Sequence, residues 1–333
     1  MCEVSKRRQL LECLGFGVVL KGFEKLDRVP PLLWIDNLSF LRWMRLRRLD
    51  VMSLSLNHAT HEDIIAIADC CPSLTNLIVS TNLSDNFNYG GFEKKKKKYK
   101  WKDVSFLEDR AITTIVLNCQ KLKEVEITGC NELSRDSFIA LGQLAITSLT
   151  VCKCKNLFKN VELAELSGCY KSLKSLYISS CDNLTDALMA GMAKCCCDLL
   201  SLTIVCCDYI TDAALIAVAE NCSKLEMLET VQYYFSDVAI FRIAKCCPQL
   251  RKLSFLSCRV NHVTEKALIE VAVNCRKIEN IMCNIDLTDA AAERFVEFSS
   301  KLRHITMRRN KCSQQTLIRL IQGCPNLHIA FTA

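Results

Sequence analysis

Long apolar runs are missing from this chain of 333 residues. No stretch reaches the ~18 residues that a membrane-spanning helix needs, so no span is expected. The nearest approach is residues 9–20, QLLECLGFGVVL, which follow Lys6-Arg7-Arg8. Glu12 interrupts that run and no small-residue cleavage site follows it, which argues against a secretory signal. Histidine is scarce, at five residues. His58 and His61 form an H-x-x-H without the glutamate of a zinc-protease motif, and they straddle Thr60, a helix-start position. Gly15 and Gly17 are followed by Leu20 where a dinucleotide fingerprint needs a third glycine. A Gly-x-x-x-x-Gly-Lys phosphate loop is absent too, and paired Cys-x-x-Cys units do not recur. These gaps leave no catalytic, cofactor or metal constellation to propose, and an enzyme is not expected.

What is present is a repeat. From Leu173 to Gln249 one pattern is written three times: LKSLYISSCDNLTDALMAGMAKCCCD, LLSLTIVCCDYITDAALIAVAENCSK and LEMLETVQYYFSDVAIFRIAKCCPQ. Each copy opens on an apolar alternation such as Leu173, Leu176, Ile178, and the first two then turn at Cys181 or Cys207. Each continues with a helix start such as Thr185-Asp186, Thr211-Asp212 or Ser236-Asp237. The leucine that opens each strand recurs at Leu46, Leu74, Leu122, Ile146, Leu173, Leu199, Leu225, Leu250, Ile278 and Leu302, and a final strand is expected over Leu327–Phe331. Only the step from Leu74 to Leu122 departs from a period of about 26, as one repeat carrying an inserted loop would. Apolar residues at i, i+3, i+4 and i+7 mark the buried face of each helix. The last of the four is cysteine at Cys71, Cys119, Cys196, Cys222, Cys247, Cys275 and Cys324, and serine at Ser299. A unit of this size cannot cover its own apolar face, so neighbours must stack into one core.

The phased leucine, cysteine and Thr-Asp positions resemble the cysteine-containing class of leucine-rich repeats, with pattern LxxLxLxxCxxLTDxALxxLAxxCPxL, from Leu46 to the end. The resemblance implies an α/β, ribonuclease-inhibitor-like solenoid: a right-handed horseshoe with parallel strands on the concave face and helices on the convex one. Many members of that class carry an F-box and serve as substrate receptors of cullin–RING ubiquitin ligases. By that likeness the chain would be the substrate-binding subunit of an SCF-type ligase, with a Skp-type adaptor and a cullin as partners. The alternatives are a stand-alone adaptor or regulator that recruits no ligase, and binding of nucleic acid or an acidic partner. Residues 1–45 hold only loose F-box fragments, Val29-Pro30-Pro31-Leu32-Leu33 and Leu41-Arg42-Trp43, and a degenerate repeat capping the solenoid is favoured over an F-box remnant.

The 23 cysteines sit mostly at the helix-end position and at the strand exit, as in Cys130, Cys154, Cys181, Cys207 and Cys258. That placement suits packed thiols in a reduced cytosolic or nuclear protein better than a disulfide framework. Cys152-Lys153-Cys154 and Cys195-Cys196-Cys197 are read in the same way, as core rather than zinc ligands. The inserted loop, at about 82–103, carries seven lysines, Lys94, Lys95, Lys96, Lys97, Lys98, Lys100 and Lys102. The formal charge is +7, so the remainder sums to zero (+7 − 7). A solvated loop, nuclear import or contact with an acidic partner fits this run, and Tyr99 and Trp101 give only slight support for stacking on bases.

Strand side chains alternate, so those between the buried positions face outward and form the expected partner-binding strip. The candidates are Glu124 and Glu126, then Ser175, Tyr177, Ser179, Ser201 and Thr203, then Met227, Glu229, Lys252, Asn280, His304 and Arg308, with Arg48, Asp50, Asn76 and Asn284 beside them. The strip reads as acidic towards its N-terminal end and basic towards its C-terminal end, and it suits a folded protein or a peptide.

Overall fold

The computed structural model describes residues 16–20, 51–57, 64–65, 68–69, 72–80, 107–231, 235–255, 263–308 and 313–332. They fall into two compact units, one reaching Ile146 and including Thr150–Leu157, the other formed by Thr147–Leu149 and the chain from Phe158 onward. Both are built of strands joined by helices, an α/β solenoid of leucine-rich-repeat type. The segments 1–15 and 21–50, with the strip candidates Arg48 and Asp50, the lysine run, His58, His61 and Cys258 lie outside the described residues.

In the first unit β1 (Phe16–Leu20) pairs antiparallel with β2 (Val51–Asn57), while β2, β3 (Asn76–Ser80) and β4 (Glu124–Thr128) run parallel. Asn76 faces Glu124 although 48 residues separate them, so the long step is one repeat with an insertion rather than two repeats. The chain rejoins the solenoid at α1 (Asp109–Asn118), which is followed by α2 (Arg135–Gly142). Ser53 faces Asn76, which sets Val51 level with Leu74. The first strand mark therefore belongs to Val51, not to Leu46: leucine spacing alone cannot tell an opening leucine from one in the preceding segment.

Strand β5 (Ser148–Cys152) is divided between the units. The second unit then holds β6 (Ser175–Ser179), β7 (Ser201–Val205), β8 (Met227–Val231), β9 (Lys252–Phe255), β10 (Asn280–Asp286), β11 (His304–Arg308) and β12 (His328–Thr332). Each pairs in parallel with the next. Between them lie α3 (Asp186–Cys195), α4 (Asp212–Asn221), α5 (Asp237–Cys246), α6 (Glu265–Asn274), α7 (Asp289–Phe298) and α8 (Gln314–Gly323). The apolar residues that mark the repeat make the core, with Leu176, Ile178, Leu202, Ile204, Leu215, Val218, Ile240 and Ile243 all buried. Each such side chain contributes about 1.5–3 kcal/mol when removed from water. One repeat departs from the pattern: the 3₁₀ turn Leu163–Leu166 stands before β6 where an α-helix is otherwise found. Gly191 lets α3 approach it closely, since a Cβ there would lie 2.6 Å from Leu163 Cδ2.

Two hydrogen-bonded ladders stitch the repeats. The hydroxyls of Thr185, Thr211, Ser236, Thr264 and Thr288 each accept an amide of their own helix's first turn, as the sequence suggests. The acidic residue beside them does more than complement a helix dipole. Asp186 accepts from Thr211 N and Oγ1 at 2.8 and 2.6 Å, and Asp237 accepts from Thr264 N and Oγ1 at 2.6 and 2.7 Å. Asp212 takes Ser236 in the same way, Glu265 accepts from Thr288 N and Asp289 from Ser313 N. In the first unit Asp109 accepts from Ser134 and Ser137. Burial pushes its carboxyl up, but those hydrogen bonds outweigh burial and hold it below 3.8.

The second ladder is made of thiols. Cys222 Sγ donates to Cys196 O at 3.4 Å, Cys247 to Cys222 O at 3.7 Å, Cys275 to Cys247 O at 3.5 Å and Cys324 to Ser299 O at 3.5 Å. Each of these four helix-end cysteines thus binds the helix-end carbonyl one repeat earlier. At the strand exits Cys130, Cys154, Cys181 and Cys207 donate to carbonyls two residues back. Burial pushes the Cys222, Cys247 and Cys275 thiols up to about 12.

Candidate functional site: the open face of the sheet

Parallel pairing in register converts the alternation of each strand into rows across the second unit. Ser175, Ser201, Met227, Lys252, Asn280, His304 and His328 face one another in succession. Two residues further along each strand a second row runs Tyr177, Thr203, Glu229, Ser254, Met282, Thr306 and Ala330. A third begins Ser179, Val205, Val231. Neighbouring strands lie about 4.8 Å apart, so a row over seven strands extends about 29 Å.

The face is not uniformly open. Tyr177, Met227, Glu229, Asn280, Met282 and His304 are half-buried, but Thr203 is only 6% exposed, and Ser254 and Thr306 are similarly covered. Alternation predicts Thr203 on the exposed strip, but it is covered, because it lies between Tyr177 and Glu229 in register and both are longer. A partner would meet the taller side chains first. The charge expected of the strip is also changed at its middle, because Lys252 Nζ pairs with Glu229 Oε1. Those two charges cancel, and as a partly exposed pair they add about 0–1 kcal/mol to stability.

Towards β12 the rings of His304 and His328 stack, centroids 5.2 Å apart and planes within 6°, and His304 Nε2 lies 3.2 Å from Thr306 Oγ1. His328, Met282 and Ser254 were missed by sequence reading, though the same alternation in their strands marks them. Arg308 holds the last position of β11 and Asn284 lies within β10, while their side chains fall outside what is described.

In the first unit Asn76 and Glu124 share one row and Ile78 and Glu126 the next. Asn76 Nδ2 donates to Glu124 Oε2, and Thr75 Oγ1 donates to Asn76 Oδ1 at 2.7 Å. Burial raises the Glu126 carboxyl, and burial with the Glu126 charge raises the Cys152 thiol to about 11. Cys154 and Cys196 are buried, and Cys154 Sγ donates to Ile127 O and Cys152 O. Among the described residues no group of three or more His, Cys, Asp or Glu side chains is placed to hold a metal ion. No described helix is long and apolar enough to cross a membrane.

No family model matches the sequence, and no curated protein matches it. Solved structures similar to it include a chain of the yeast Rad7–Elc1 complex, at 14% identity, with 88% of this chain and 83% of that one covered and a TM-score of 0.40. An internalin from Listeria monocytogenes gives 16% identity, 88% and 94% coverage and a TM-score of 0.45. A protein from Bacteroides fragilis gives 14% identity, 64% and 66% coverage and a TM-score of 0.37. The fold assignment rests on the pairing and ladders described above.

Proposed function

We propose that this chain is a non-catalytic protein-recognition module, and that it serves as the substrate-binding subunit of an SCF-type ubiquitin ligase. The observation that carries recognition is the parallel register of β6–β12, which holds a tyrosine, methionines, an amide and imidazoles in fixed rows on one sheet face. Such a surface can bury a tyrosine anchor centrally while polar neighbours adapt around it. The ligase step is supported by the likeness of the repeats to the cysteine-containing class, many of whose members act as ligase receptors. The packed thiols support a reducing compartment, cytosol or nucleus.

A specific observation favours the stand-alone adaptor as the second reading. Strand β1 pairs antiparallel against β2, as a capping segment that protects a sheet edge would. That supports the cap assignment for residues 1–45. Affinity capture from cell extract tests the two. Recovery of a Skp-type adaptor and a cullin with the bait supports the ligase reading. Recovery of partners without a cullin replaces it by the adaptor reading.

A further inference from the structure

The loops that lead from each helix into the next strand form one rim of the second unit. Between residues 171 and 303 the segments 171–174, 197–200, 223–226, 248–251, 276–279 and 300–303 carry eight Lys or Arg against three Asp or Glu. Several of these cations are already engaged. Lys224 pairs with Asp198 at 2.5 Å, Arg251 with Glu279 at 2.6 Å, Lys277 binds Gln249, and the Arg276 guanidinium lies 4.5 Å from the centre of the Phe298 ring. Of the cations not engaged in this way, Lys301 and Arg303 share one cavity. Both are exposed, and neither has an ion pair or side-chain hydrogen bond among the described residues. They line an open cavity of about 340 Å³ together with Glu279, Ser300, Leu302 and Asn326. The Glu279 carboxylate in that cavity is taken by Arg251, through Nε at 3.0 Å as well as Nη2, so it does not neutralise the two free cations.

A helix C-terminus attracts cations, but that effect fades beyond the last turn. Lys301 and Arg303 lie past the helix-end residue Ser299, on the turn and at the entry to β11, so helix stability does not account for them. We propose that this cavity is an anchor site for a carboxylate on an acidic peptide segment of a protein partner. It is a surface separate from the open sheet face and goes beyond the reading above. Arg303 supplies a planar fork suited to a carboxylate and Lys301 a point charge, while Ser300 and Asn326 offer polar groups beside them. Along the rim the cations alternate with Asp198, Glu226 and Glu279. A nucleic-acid backbone, charged at every phosphate, would have to pass these acids as well as the cations, whereas a peptide can set its carboxylates between the acids.

The test uses the full chain with Lys94–Lys98, Lys100 and Lys102 replaced by Gln, so that the lysine run does not bind the probe. A fluorescein-labelled oligoglutamate peptide is titrated by fluorescence polarisation at low and physiological salt. Lys301→Glu with Arg303→Glu should weaken binding at least about tenfold, and Lys301→Gln with Arg303→Gln should weaken it less. The neutral pair serves if the reversed pair does not fold, as read from its thermal transition. Tyr177→Ala should leave the peptide affinity unchanged, which separates this site from the sheet face. Absence of saturable binding by the parent, or equal binding by both variant pairs, overturns the proposal. Equal loss with Tyr177→Ala does the same. An oligothymidylate that binds more tightly than the peptide through Lys301 and Arg303 overturns the assignment to a peptide.

Discussion

Ser299 holds the helix-end position that cysteine holds in neighbouring repeats, and its hydroxyl is buried without a hydrogen-bond partner among the described residues. The reason is reach: sulfur's longer bond and larger radius bring Cys275 Sγ to the carbonyl one repeat earlier, and an oxygen on the same Cβ falls short. Ser299→Cys should therefore stabilise the protein by about 1 kcal/mol, by replacing an unsatisfied hydroxyl with a group that bonds there. Cys222→Ser runs the exchange backwards and should cost about 1–3 kcal/mol. Urea midpoints measure both, and a lower midpoint for Ser299→Cys would sink the ladder account. The same burial predicts a pH response. Cys222, Cys247 and Cys275 keep their protons in the folded state up to about 12, against an ordinary value of 9.0. Between those values the unfolded chain binds fewer protons than the folded one, so stability must fall as pH rises. It should be insensitive to these thiols below pH 9 and decline steadily above it, visible as a melting temperature that drops on the alkaline side. Among the described cysteines, a thiol reagent at neutral pH should react first with exposed Cys197 and Cys206, and the reactive count should rise towards 23 on denaturation.

At the scale of the element, the helix starts show what sequence can and cannot supply. Thr185, Thr211, Ser236, Thr264 and Thr288 are recognisable as caps because capping is local, a bond within one turn. The partner of the following acid is not local. Asp237 reaches Thr264 in the next repeat, a residue 27 positions away, and nothing in one copy of the repeat says that the copies stack so. The recurrence of an acid in phase with Ser or Thr is the signal that would have found it. Likewise the 3₁₀ turn Leu163–Leu166 escapes the periodicity because that repeat lacks the i, i+3, i+4, i+7 face. Asp237→Ala should cost about 1–3 kcal/mol, since it leaves the Thr264 amide and hydroxyl without their acceptor. In a solenoid the loss should centre on the repeats that meet there. Hydrogen exchange should thus quicken in α5 and α6 before it does in α3. A uniform loss of protection along the chain would mean that the ladder transmits less locally than neighbour stacking requires.

For the whole molecule, strand positions and outward residues were legible because alternation and period are written into each repeat. The ordering of the face was not. Whether Thr203 is covered, and whether Lys252 stands free or pairs with Glu229, depends on which residues become neighbours, and register decides that only after stacking. That difference sharpens the functional test. Tyr177 stands half-buried beside the covered Thr203, so its ring forms a taller part of the second row than the hydroxyl next to it. If the open face takes a protein partner, truncation at Tyr177 should remove an aromatic anchor of the kind that dominates interface energies, about 2 kcal/mol or more. Tyr177→Ala should then weaken partner capture at least about tenfold. Its effect on stability should stay within about 1 kcal/mol, because the ring stands on the open face rather than among the leucines beneath. Thr203→Val is the companion variant: it keeps the shape of a covered position and should leave capture nearly unchanged. Equal losses from both would mean that the face was reshaped rather than an anchor lost. Wild-type capture by Tyr177→Ala would move the partner surface off the sheet altogether, and the rim around Lys301 and Arg303 would become the first place to look.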